Sequence, residues 1–178
     1  AERMNEFKAM LKRFHANGLK LIIDFVPNHL ARQYYSDQKP KGVIDFGVND
    51  NKQVAFDVNN NFYYLPGTQF TAPEGYLPPV PVNIPYIEIP AKVSGNNVFS
   101  PQPSINDWFE TVKLNYGVDY QNGNKTHFDP IPSTWIKMHE VLSYWTDLGV
   151  DGFRCDMAEM VPVEFWTYAV GKIKKQNP

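Results

Sequence analysis

The chain has 178 residues, 43% of them hydrophobic and 15% aromatic, the make-up of a globular protein of one domain or little more. With 17 basic and 19 acidic residues, a net charge of -2 and no concentrated basic segment, it carries no electrostatic footprint for nucleic acid or an anionic membrane surface. No apolar run reaches the roughly 18 residues of a membrane span and no leader opens the chain, while a single cysteine, Cys155, excludes an internal disulfide and reads as a strand residue rather than a reactive thiol.

Met4, Phe7, Leu11 and Phe14 recur at spacings of three and four, the apolar face of a helix. Asn17-Gly18 stops it, glycine being the usual left-handed terminator. Leu19 to Val26 is almost entirely apolar and suits a parallel strand covered on both faces. Pro27 has no amide hydrogen to donate and ends the ladder, which leaves Asn28 and His29 in the loop at the strand's carboxyl end.

Residues 30–129 read differently. Nine of the 15 prolines fall between Pro66 and Pro103. The segment Val82 to Ile89 alternates like a small strand, and Asn49-Asp50-Asn51 and Asn59-Asn60-Asn61 mark turns. There is no repeat and no long helical pattern. Phe62, Tyr63, Tyr64, Tyr76, Tyr86, Trp108 and Phe109 are too many rings for a flexible linker; they form either a small core or an exposed stacking platform. Asn124-Lys125-Thr126 fits a glycosylation sequon, a triplet common by chance. Pro130 and Pro132 close this irregular, β-rich insertion. Ser133 or Thr134 can cap the next helix, whose buried face is Trp135, Met138, Leu142, Trp145 and Leu148, and Gly149 ends it. Val150 to Asp156 is a second strand, parallel to the first across the insertion. Pro162 opens a last helix with Phe165, Ala169 and Ile173 inward.

Two stretches carry chemistry. In a strand, residues two apart share a face, so Arg154 and Asp156 project together with Cys155 opposite. A carboxylate beside a fixed cation stays ionised, ready as a nucleophile or a metal ligand; a structural ion pair is the plain alternative. A lone loop histidine such as His29 is ordinarily a packing residue. Together, Asp24-Phe25-Val26-Pro27-Asn28-His29 and Gly152-Phe153-Arg154-Cys155-Asp156 resemble the first two signatures of the α-amylase family of glycoside hydrolases. They stand in the family's order, with an insertion between them where the family carries its B domain.

The resemblance implies an α/β fold: a partial (β/α)8 (TIM) barrel segment over residues 1–29 and 130–178, holding strands three and four, with residues 30–129 as the inserted B-like domain. A whole barrel takes about 250 residues, so a fragment is expected. It implies Asp156 as nucleophile, Arg154 as the group that keeps it ionised and oriented, His29 as a sugar ligand in the cleavage subsite and Asp24 as a structural carboxylate, with His29, Arg154 and Asp156 meeting on one rim. It implies α-glucan as substrate. Asn28 matches a calcium ligand in many members. Asn106 to Tyr116 faintly resembles a further signature, in which an aspartate binds calcium, but Lys113 stands in that place and puts the calcium in doubt.

The family's general acid lies on strand five, which this segment does not reach. Glu159 is a poor substitute, and Met160 lacks the histidine many α-amylases have there. The chain alone is therefore expected to be inactive, and the apolar faces of a two-stranded piece favour self-association. Transglycosylation by the same residues and non-catalytic carbohydrate binding remain alternatives. A metal-dependent hydrolase built on Asp24, His29 and Asp156 is disfavoured, because no His-x-His or His-Glu-x-x-His pair is present.

Overall fold

The computed structural model describes residues 2–36, 38–77 and 86–177. Two compact units divide them: Ala1–Pro27 with Trp135–Pro178, and Asn28–Thr134.

In the first unit, helix α1 (Glu2–Ala16) ends as its sequence dictates: Gly18 takes φ +70° and Leu19 N reaches back to Phe14 O at 2.9 Å. Of the expected apolar face only Leu11 is fully buried; Met4, Phe7 and Phe14 are half-buried. Strand β1 (Ile22–Phe25) lies parallel to strand β8 (Gly152–Cys155), with Ile22 opposite Gly152 and Asp24 opposite Arg154. Both are shorter than the apolar runs that contain them. β1 is not covered on both faces. Ile22, Asp24 and Val26 are exposed, Ile22 at 64%, while Ile23 is half-buried and Phe25 buried. The covered side carries Phe25, whose ring meets those of Phe153 and Trp166.

Helix α2 (Ser133–Asp147) turns Trp135, Met138 and Leu142 inward, with Trp145 and Leu148 half-buried, and Gly149 ends it at φ +100°. Helix α3 (Val163–Gln176) follows a single 3-10 turn, Ala158–Met160. Pro162 is its cap residue, one position earlier than expected, and Phe165 and Ala169 are fully buried, with Ile173 half-buried. The Phe165 ring meets Trp135 edge-on at 5.9 Å, so the apolar faces of α2 and α3 pack together.

The second unit is made of short antiparallel pairs: β2 (His29–Ala31) with β5 (Thr111–Lys113), β3 (Tyr64–Leu65) with β4 (Ala91–Lys92), and β6 (Val118–Asp119) with β7 (Lys125–Thr126). It has no helix before Ser133 among the described residues. The alternation read at Val82 to Ile89 lies outside the described residues as far as residue 85, and 86–89 form no strand. The aromatic run does form a core. Phe62, Tyr63, Tyr64 and Phe109 are buried with Val93, Val112, Leu114 and Tyr116, and Tyr76, Tyr86 and Trp108 are half-buried around them. The asparagine turns are tied by side chains: Asp50 accepts from Asn61 N at 2.8 Å, Phe62 N at 3.0 Å and the Tyr64 hydroxyl at 3.0 Å. The whole is a mixed α/β arrangement with short strands, and the described residues close no barrel.

Candidate functional site

In the first unit the site is built by the register of β1 and β8. Pairing Asp24 with Arg154 brings two side chains to one side of the ribbon from positions 130 residues apart. Arg154 Nη1 donates to Asp24 Oδ1 at 3.0 Å and to Asp156 Oδ1 at 2.7 Å. Asp156 lies just past the end of β8, and its amide donates to Phe25 O at 2.9 Å. Backbone and guanidinium thus fix the carboxylate from two directions. The Asp24 carboxylate, then that of Asp156, hold the Arg154 guanidinium above its ordinary pKa. Side-chain exposure is 63% for Arg154 and 58% for Asp24 but 28% for Asp156, so the carboxylate that the sequence assigns to chemistry is the sheltered one. Cys155, paired with Phe25, is half-buried, and burial and then the Asp24 charge push its thiol pKa up. That suits a packing residue rather than a nucleophile. Glu159 is exposed on the 3-10 turn.

The structure therefore brings Arg154 and Asp156 together and adds Asp24 to them. That third member was read from the sequence only as a structural carboxylate. The signal for its role lay in the distance of each residue from its strand end, which becomes meaningful only once the two strands are known to pair.

His29 and Asn28 belong to the second unit. His29 is not in a loop: it opens β2, because the chain resumes pairing immediately after Pro27 and the Asn28 bend. Its Nδ1 lies 3.2 Å from Asn28 Nδ2, and its ring centroid is 5.4 Å from that of Trp108. Gly95 makes this packing possible, since a Cβ there would collide with Thr111 Oγ1 and come within 3.0 Å of His29 Cβ. Asn28 is wholly buried. Its Nδ2 donates to Gly95 O at 2.8 Å, and its Oδ1 accepts from Lys113 Nζ. Burial pushes the Lys113 ammonium down to a pKa of about 8, which leaves it charged at neutral pH. A positive group on the amide oxygen is a poor neighbour for a divalent ion, and no cluster of three or more His, Cys, Asp or Glu suited to a metal occurs among the described residues. No helix of the described residues is long and apolar enough to cross a membrane.

Curated relatives align with the amino-acid sequence, some of them over most of its length. A cyclomaltodextrin glucanotransferase from Geobacillus stearothermophilus is 22% identical over 179 residues, covering 98% of this chain and 19% of the relative. An alpha-glucosidase from Culex pipiens is 25% identical over 158 residues, covering 86% of this chain and 21% of the relative. An alpha-1,4-glucan:maltose-1-phosphate maltosyltransferase from Cereibacter sphaeroides is 28% identical over 81 residues, or 40% of this chain and 14% of the relative. The chain thus spans about a fifth of the length of the curated relatives that it matches over most of its own length. No protein-family model matches it, and no solved structure matches it significantly. The similarities support a distant relationship to the α-amylase family and to enzymes that act on glycosidic bonds.

Proposed function

We propose that these residues form the strand-three to strand-four portion, with the B-like insertion, of an α-amylase-type barrel enzyme acting on α-glucans by the retaining mechanism. The observation that carries the reading is the Arg154 guanidinium shared between Asp24 and Asp156 at the ends of two neighbouring parallel strands. In α/β barrels that end of the strands holds the chemistry.

A retaining enzyme needs two carboxyl groups about 5–5.5 Å apart. Asp156 is the nucleophile: its carboxylate attacks the anomeric carbon, the C–O bond to the leaving sugar breaks, and a covalent glycosyl ester forms. Arg154 donates a hydrogen bond to Asp156 and aims its carboxylate. Asp24 holds the guanidinium from the other side. His29 hydrogen-bonds the sugar. The general acid, which protonates the leaving oxygen, comes from a segment outside these residues, so the chain by itself turns over about 10²–10⁴-fold less than the whole enzyme at best. Transfer of the glycosyl group to a second sugar rather than to water is the alternative outcome, favoured by the glucanotransferase and maltosyltransferase among the relatives. Both outcomes use the same ester on Asp156.

The test is Asp156→Asn in the longest natural polypeptide that contains this chain, assayed on maltooligosaccharides. Turnover is expected to fall by about 10⁴–10⁶-fold, and an activated α-glucosyl donor is expected to label the wild-type peptide bearing Asp156 but not the variant. Undiminished turnover, or a label on another residue, removes Asp156 from the mechanism.

A further inference from the structure

Calcium takes six to eight oxygen ligands at about 2.3–2.6 Å. The surroundings of Asn28 offer a different arrangement. Asn28 is 0% exposed and its side-chain amide is held at both ends, Nδ2 by Gly95 O and Oδ1 by Lys113 Nζ. Lys113 is itself 1% exposed. Strand pairing delivers the ammonium to this oxygen. His29 sits opposite Lys113 in the β2–β5 ladder, Leu114 N donates to Asn28 O at 3.0 Å, and Lys113 N donates to Val93 O at 3.0 Å. The lysine backbone is therefore fixed on both sides of the ladder. A charge survives burial only when it is hydrogen-bonded, and an ammonium brings three donors to meet that need.

We propose that Lys113 stands in for a bound metal: a cation tethered to the chain that fixes the Asn28 amide, and through it the start of β2 at His29, so that the Asn28–Thr134 unit folds without calcium. Lys113 is a positioning residue in this scheme and touches no substrate. The proposal concerns how the unit is held together, not which bond is cut. Its tests read stability and metal binding, so it stands or falls separately from the glycosidic reading.

The experiment is thermal unfolding of the 178-residue chain, in excess EDTA and in millimolar calcium, with a calorimetric calcium titration beside it. The wild type is expected to have the same Tm in both solutions and no saturable calcium binding. A Tm lowered by the chelator, or saturable calcium binding, overturns the proposal without any variant being needed. Lys113→Met removes the cation and strands Asn28 Oδ1; its Tm is expected on the order of 5 °C lower and indifferent to calcium, and an unchanged Tm overturns the tethering role. Lys113→Asp puts a carboxylate beside the amide oxygen. Calcium is expected to raise the Tm of that variant alone, a response that loss of packing would not produce, and a Lys113→Asp protein whose Tm ignores calcium overturns the claim that the ammonium holds a cation's place.

Discussion

Arg154 divides a single nitrogen between carboxylates from two strands, and most of its side chain is in solvent. Exposed ion pairs of this kind contribute little to stability, because water already solvates both partners and ordering the long side chain has an entropic cost. In the proposed mechanism their value lies in orientation. Arg154→Met is accordingly expected to leave Tm within about 2 °C of wild type, while, on the proposed function, turnover of maltooligosaccharides by the longest natural polypeptide containing this chain falls about 10²-fold. Thermal melts and steady-state kinetics on one preparation separate the two effects; a large drop in Tm would assign Arg154 to the fold instead. The Arg154–Asp156 half of this cluster was legible in the sequence, since residues two apart in a strand share a face. The Asp24 half was not. It depends on Asp24 standing opposite Arg154, and no residue pattern states the register between strands so far apart. Lys113 was legible only as a departure from the expected aspartate; its partner Asn28, 85 residues away, came from the β2–β5 ladder.

Elements with a repeating apolar face could be read; elements of two to four residues could not. α2 and α3 bury Trp135, Met138, Leu142, Phe165 and Ala169 much as their spacing implies, because several turns of helix repeat the signal. An apolar run such as Leu19 to Val26 says that packing is available but not which of its faces receives it, and Leu19 and Ile22 are largely exposed. β2 spans three residues, too few for any period, so His29 read as a loop residue. Two substitutions probe these elements. Phe165→Ala removes a fully buried ring packed on Trp135 and is expected to destabilise the chain by about 3–5 kcal/mol in urea unfolding. A loss under 1 kcal/mol would mean that the interface of α2 and α3 is loosely packed. Gly95→Ala drives a Cβ into Thr111 and His29; about 1–3 kcal/mol of destabilisation is expected, together with a changed Trp108 environment in near-ultraviolet circular dichroism. Wild-type behaviour on both counts would show that the close approach is not needed.

At the scale of the molecule, the described residues divide into a unit of helices on a two-stranded ribbon and a unit with almost no regular structure. What replaces long ladders in the second unit is a set of buried polar knots, one of which centres on Glu88. Its carboxylate, 6% exposed, accepts from Arg32 Nη1 at 2.6 Å, from Lys92 Nζ at 2.9 Å and from the Tyr86 hydroxyl at 2.7 Å. Arg32 carries the knot onward to Lys92 O and Thr111 O, and its guanidinium lies 4.1 Å over the Phe70 ring. Four short segments are thereby clamped that share no continuous sheet. Burial alone would push the Glu88 carboxyl up, but Lys92 and then Arg32 more than offset it, so the group titrates below its ordinary 4.5. A carboxyl whose pKa is lower folded than unfolded gives its full stabilisation above the unfolded value and loses it as pH falls through the folded one. Stability should therefore hold from neutrality down to about pH 5 as far as Glu88 is concerned, then decline steadily below about pH 4.5. Glu88→Gln removes the charge while leaving Arg32 buried and Lys92 half-buried beside it, a loss of about 3–5 kcal/mol at pH 7, and it should flatten the acid limb of the stability curve. Urea unfolding of both proteins from pH 3 to 7, followed by tryptophan fluorescence, checks this: parallel acid limbs would place the acid sensitivity on other carboxylates and reduce the Glu88 knot to a neutral hydrogen-bond network.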